Sequence, residues 1–162
     1  MSLDLARLRR DYTHTLLLTG RQYRRAANAV AESYGLSDAT ALPLLVIGRS
    51  GGEPRQNVLA EAVGIEGPSL VRLLDQLGAA GLVIRKEDPT DRRAKVLSLT
   101  AAGREVVARI EEDLARLRER IFGEVSEADL AASLRVFRAV QTYDRAVRED
   151  VTLGAEEGEA VT

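Results

Sequence analysis

Within the segment DPTDRRAKVLSLT, residues 88–100, four charged side chains crowd into five positions: Asp91, Arg92, Arg93 and Lys95. Cations gathered this closely serve no apolar core and suit contact with phosphate groups. An aspartate two residues before an arginine can bond its guanidinium and hold it in one rotamer, which reduces the entropy lost on engagement. The alternative is an ordinary charged turn. A second candidate pair is Ser69 and Arg72, one helical turn apart if that segment is helical. Arg72 can present its fork to a hydrogen-bonding edge, or it can simply pair with Asp75 three positions on. Other chemistry is scarce. The chain has no cysteine and one histidine, His14, which removes disulfides, thiolate ligands and thiol nucleophiles and argues against a zinc site. No activated nucleophile, acid and base pair, metal cluster or phosphate loop is evident, so neither an enzyme nor a bound cofactor is expected.

The elements that must position these residues follow from periodicity. Leu5, Leu8, Tyr12, Leu16, Tyr23, Ala27, Val30 and Tyr34 recur mostly at three- and four-residue steps and predict one long helix over 3–34, ended by Gly35. Ser37 is an N-cap for a second helix over 38–49, in which Pro43 predicts a kink or a late start. After the Ser50-Gly51-Gly52 turn, a short helix over 56–63 ends at Gly64. Pro68 fits the first turn of the next helix, which runs to about Ala80 and stops at Gly81. Leu82-Val83-Ile84 and Val96-Leu97-Ser98-Leu99 read as strands joined by the charged loop. Thr100 caps a helix to about Phe122 in which Val107, Ile110, Leu114, Leu117 and Ile121 form a heptad seam that calls for a partner helix. Ser126 caps the last helix. The acidic stretch 151–162 has little to bury and is expected to be a disordered tail.

With 162 residues, 45% apolar and only 4% aromatic, the chain suits one compact α-rich domain plus long helices. No apolar run can span a membrane. The formal charge of −2 hides an uneven distribution, since 49–104 carries nine basic and seven acidic residues. The middle of the chain is the electropositive part.

Helix, tight turn, helix and then a hairpin is a winged helix, which presents a short helix to the DNA major groove and a loop to the neighbouring minor groove. The segment AVGIEGPSLVRLLDQLGAAGLVIRKEDPTDRRAKVLSLTAAG, 62–103, resembles the DNA-binding lobe of the MarR/SlyA family of bacterial transcription regulators. Its Gly-Leu-Val strand, Asp-x-Arg wing and Leu-Thr-x-x-Gly pattern carry the resemblance, and GIEGPSLVRLLDQL is especially similar to the SlyA branch. The resemblance implies that Asp91 orients Arg93, that Arg93 enters the minor groove, and that Ser69 and Arg72 act in the major groove. Gln56, Gly67, Pro68, Arg92 and Lys95 complete the expected DNA surface.

The same resemblance implies a homodimer built from helices within 1–36 and 101–150 around a lobe at 37–100. Leu5, Leu8, Leu114, Leu117, Phe137 and Val140 are the expected interface residues. The operator is then an imperfect palindrome of double-stranded DNA, and the protein cytoplasmic and nucleoid-associated. Many relatives respond to a small aromatic or phenolic acid, for which Tyr12, His14, Arg21 and Tyr23 are the candidate lining residues. The competing expectation is a winged-helix module for protein interaction or scaffolding, without a DNA role.

Overall fold

Ser37 starts the second helix as its residue type suggests: its hydroxyl oxygen accepts from the Thr40 N–H at 3.3 Å, while the Thr40 hydroxyl accepts from the Ser37 N–H at 3.0 Å. This reciprocal cap satisfies two donors that the first turn leaves open. The structure, a computed structural model, describes the backbone of residues 2–91 and 93–159 and the side chains of residues 4–91 and 93–143. Its elements are α1 (Ser2–Glu32), α2 (Asp38–Arg49), α3 (Gln56–Val63), α4 (Gly67–Ala79), β1 (Val83–Glu87), β2 (Lys95–Leu99), α5 (Ala101–Phe122) and α6 (Glu127–Glu159). The fold is mainly α with one antiparallel hairpin, as the periodicities predict. α2 begins at Asp38 rather than after Pro43, and Pro43 is fully buried inside it. Burial of the ring offsets the backbone donor that proline lacks.

The chain divides into two compact units, 1–119 and 120–162. In the first, Leu44 of α2, Leu59 of α3, Leu70, Leu74 and Leu77 of α4, Leu97 of β2 and Ile110 of α5 are fully buried together. The turn after α1 is tied to α5 by the Tyr34 hydroxyl, which donates to Asp113 at 2.7 Å. That bond holds the Asp113 carboxyl below the usual carboxylate range and raises the Tyr34 phenol. The hairpin pairs Val83 with Leu99 through to Glu87 with Lys95. Its outer strand gains a further partner, because the Leu97 N–H donates to the Pro54 carbonyl at 3.0 Å and Arg55 bridges Val96.

Where the hairpin returns into α5, Thr100 does three things. Its N–H donates to the Leu82 carbonyl at 3.0 Å, its hydroxyl donates to the Gly81 carbonyl at 2.7 Å, and the hydroxyl oxygen accepts from the Gly103 N–H at 2.9 Å. The helix start is thereby pressed onto the backbone of residue 82. A Cβ at Gly103 would lie 2.0 Å from the Leu82 oxygen. The Leu-Thr-x-x-Gly pattern is a packing requirement of this corner.

Two expectations change. The heptad seam of α5 is occupied within the chain: Val107, Ile110, Leu114 and Leu117 belong to the core of the first unit, so Leu114 and Leu117 are not open to a partner. A 3-4 spacing marks an apolar face but not who covers it. In the second unit, α6 is capped by Ser126, whose oxygen accepts from the Asp129 N–H at 3.1 Å. α6 continues to Glu159, where a tail was expected from 151. Residues 160–162 lie outside the described residues.

Candidate nucleic-acid interface

α4 exists because Leu70, Leu74 and Leu77 bury one face of an otherwise polar segment, and Pro68 occupies its first turn without losing a needed donor. The opposite face is exposed and carries Ser69 and Arg72, with Gly67 and Pro68 at the exposed start. Arg72 does not pair with Asp75. Asp75 is taken by Arg85 of β1, which ties the hairpin to α4. Lys86 of β1 is held by Glu53 at 2.6 Å, and that bond, followed by one from Ser98, lowers the Glu53 carboxyl below its ordinary value. β1 is thus fastened on two sides.

The loop between the strands is organised by Asp88, which is only 5% exposed. One carboxylate oxygen accepts from the Thr90 hydroxyl at 2.6 Å, the Thr90 N–H at 2.7 Å and the Asp91 N–H at 3.3 Å. The other accepts from Arg55 Nε at 2.6 Å. The two Thr90 bonds, and after them Arg55, hold the Asp88 carboxyl at about 2, below its ordinary 3.8. A depressed carboxylate contributes stability above its unfolded pKa and loses it as pH falls through the folded one. Asp88→Asn keeps one acceptor oxygen for the loop but turns an amide donor toward Arg55. The variant is expected to be less stable than the wild type at pH 7, with the difference shrinking as pH falls from about 4 to about 2. Denaturant unfolding at pH 7, 4 and 2 measures this, and a difference independent of pH would refute it.

Asp91 does reach Arg93, but at the backbone. Its carboxylate accepts from the Arg93 N–H at 3.0 Å, and among the described residues no ion pair joins it to the guanidinium. What Asp91 orients is the turn that presents Arg93, a correction to the rotamer expectation; a short aspartate side chain in a turn reaches the backbone amide two residues on more readily than that residue's guanidinium. Lys95 faces Glu87 across the hairpin at 3.4 Å. Arg92 lies outside the described residues. Gln56, half-buried at the start of α3, joins Asn57, Arg93 and Lys95 around a cleft of about 360 Å³. Ser69 and Arg72 do not line that cleft.

The pairing of cations across the lobe separates two residues from the rest. Arg49 pairs with Glu111, Arg55 with Asp88, Arg85 with Asp75, Lys86 with Glu53 and Lys95 with Glu87, while Arg104 donates to the Leu99 carbonyl. Among the described residues of this lobe, only Arg72 and Arg93 carry exposed guanidiniums with no protein partner. Arg55 and Asp88 are the residues that sequence reasoning missed. The available signal was Asp-Pro-Thr-Asp, an aspartate placed to accept from the amide two residues on.

A second cavity, also of about 360 Å³, lies in the first unit between α1, α2 and α5. Ala27, Ala31, Ala41, Leu45, Ile110 and Leu114 make its walls apolar, and Tyr23, Arg24, Arg49 and Arg118 supply polar groups. Arg118 hydrogen-bonds Tyr23, which raises the guanidinium's pKa further, and it also lies 3.6 Å from Glu111. Tyr23 is the one expected effector residue that lines the cavity; Tyr12, His14 and Arg21 are exposed on α1 and do not. Among the described residues no three His, Cys, Asp or Glu side chains gather as metal ligands would. No described helix is long and apolar enough to cross a membrane.

A helix-turn-helix whose second helix is backed by a hairpin carrying a free arginine defines a winged-helix protein. Residues 34–94 match the model of the MarR family. The solved structure of transcriptional regulator PA3341 is 34% identical to this chain, covering 83% of it and 98% of that protein, with a TM-score of 0.77. This chain belongs to the MarR family, whose members are transcription regulators and not enzymes. The fold is also that of the S. aureus MepR–DNA complex (19% identity, 82% and 97% coverage, TM-score 0.70). CouR from Rhodococcus jostii RHA1 bound to p-coumaroyl-CoA shares it too (24% identity, 80% and 91% coverage, TM-score 0.72).

Proposed function

We propose that the protein is a homodimeric, ligand-responsive regulator that binds a pseudo-palindromic DNA duplex, with α4 in the major groove and Arg93 in the minor groove. The observation that carries the reading is the pair of unpartnered guanidiniums, Arg72 and Arg93, in a lobe whose other described cations are already bonded within the protein. A cation that the fold neutralises gains little from a phosphate, whereas a free one gains the full contact. The MepR–DNA complex supports the assignment of the partner. Lys95 and Arg92 would lie near phosphates, and Gly67 and Pro68 allow close approach of the α4 start.

The dimer is supported by exposed apolar residues that a lone chain leaves in water. Leu5 and Leu8 are 46% and 64% exposed, Val140 is 54% exposed, and Phe137 is half-buried. Apolar side chains gathered along a helix in this way are expected to be covered by a second chain. A two-fold dimer would set two α4 helices about 34 Å apart, one duplex turn.

The effector site is the apolar cavity between α1, α2 and α5. Its volume suits a single-ring aromatic or phenylpropanoid acid, whose carboxylate would share the rim arginines Arg24, Arg49 and Arg118 with their present partners Asp38 and Glu111. Ligand-bound CouR supports a small-molecule effector for this fold. Binding that favours a dimer spacing unsuited to DNA would release the operator. Selection of bound duplexes from random DNA, repeated with a panel of aromatic acids, tests both parts. Enrichment of an imperfect palindrome with half-sites about one turn apart is expected, lost in the presence of at least one acid. Recovery of unenriched sequence would overturn the DNA reading.

A further inference from the structure

We propose that Arg55 is a positioning residue of the wing, acting on Arg93 through Asp88 and Thr90 rather than touching DNA itself. The proposal rests on the DNA-binding reading above. Arg55 precedes α3 as its N-cap residue, yet its side chain caps nothing there. It turns to the hairpin loop instead. Nε donates to Asp88 at 2.6 Å and Nη2 donates to the Thr90 hydroxyl at 3.2 Å, so one planar fork holds two loop residues.

From those two residues a continuous series of bonds leads to Arg93. Asp88 and the Thr90 amide and hydroxyl form the first link, the Asp91 N–H to Asp88 the second, and the Arg93 N–H to Asp91 the third. The Ala94 N–H donates to the Asp91 carbonyl at 2.9 Å, and the Asp88 N–H to the Ala94 carbonyl at 3.1 Å, which closes the loop on itself. The loop is therefore an internally bonded unit, and its side-chain tie to the start of α3 is Arg55. Packing does not replace that tie, because a cleft of about 360 Å³ separates Gln56 and Asn57 from Arg93 and Lys95. The other links near Arg55, its bridge to Val96 and the Leu97 bond to Pro54, hold strand β2 and not the loop. α3 packs on α4, so a loop fixed to α3 keeps Arg93 in register with Arg72. Arg55 is itself unsuited to be a free phosphate contact, since its charge is already matched by a carboxylate that is 5% exposed.

The test is a double-mutant cycle on the selected operator, with wild type, Arg55→Met, Arg93→Ala and the double variant measured at several salt concentrations. Circular dichroism and melting confirm the fold of each. Arg55→Met is expected to weaken binding about tenfold in the wild-type background and to change neither affinity nor salt slope once Arg93 is alanine. Hydroxyl-radical protection of the minor groove is expected to fade in Arg55→Met, while the protection given by α4 stays. Arg55→Lys keeps the charge but not the fork and is expected to restore only part of the affinity; it also carries the cycle should Arg55→Met fail to fold. Independent losses in the two backgrounds, or full rescue by lysine, would make Arg55 a direct phosphate contact and overturn the proposal. Wild-type affinity for Arg55→Met would overturn it as well. If Arg93→Ala itself binds as tightly as wild type, the wing reading fails, and the proposal with it.

Discussion

Arg93→Ala is expected to leave the fold intact and to cost about 1–3 kcal/mol of operator affinity per half-site, with a shallower salt dependence. The fold should survive because the Arg93 side chain bonds nothing among the described residues, and the turn is held by its backbone N–H, which alanine retains. The affinity should not survive, because this guanidinium has no internal carboxylate to fall back on. Lys95→Ala makes the useful contrast. Lys95 is shared with Glu87 at 3.4 Å in an exposed pair, so its charge is already partly matched and its removal should cost less than removal of Arg93. Equilibrium binding at three or more salt concentrations checks both. Unchanged affinity and slope for a folded Arg93→Ala protein would remove the wing from the interface.

Gly103→Ala is expected to destabilise the protein by about 1–3 kcal/mol, although alanine ordinarily favours a helix over glycine by about 1 kcal/mol. The new Cβ would meet the Leu82 oxygen at 2.0 Å and its carbonyl carbon at 3.0 Å, both backbone atoms that no rotamer change can move. Retreat of α5 is the only relief. That retreat would lengthen the Thr100 bond to the same oxygen and open the contact of Val107 with Gly48, where a Cβ would already stand 2.7 Å from a Val107 methyl. Overpacking costs of about 1–3 kcal/mol and a lost buried hydrogen bond of about 1 kcal/mol outweigh the propensity gain. For a chain of this length the melting temperature should fall by roughly 2–12 °C. A variant that melts at or above the wild-type temperature would show that the corner between β2 and α5 is looser than its geometry.

Local signals were legible in the sequence and non-local partners were not. Ser37 with Thr40, Gly64 in the left-handed region and Pro68 in the first turn of α4 act within a few residues of themselves, and the helices begin and end close to where these signals put them. The 3-4-3-4 seam of α5 was equally readable as an apolar face, but periodicity is the same whether the cover comes from the same chain or from another. Leu114 and Leu117 are covered by their own chain. Asp75 shows the same limit at the site. Arg72 stands three residues away on the same helix, yet the carboxylate is claimed by Arg85 ten residues on, across the packing of α4 against β1. That exchange is what leaves Arg72 free. Asp88 was read past because charge in a loop looks solvent-facing, whereas this carboxylate is buried under Thr90 and Arg55. The effector residues on α1 were placed by type alone, and of these only Tyr23 stands at the depth of the helix where the cavity lies.

The central claim is that α4 reads base edges through Arg72, and it is tested most directly by a base-substitution scan of the selected operator with wild type and Arg72→Ala. The wild type should discriminate by about 1–3 kcal/mol at one symmetric base pair in each half-site. Arg72→Ala should lose discrimination at that pair while keeping the rest of the profile. Identical profiles for the two proteins, differing at most by a uniform loss of affinity, would place Arg72 on the phosphate backbone and contradict the claim.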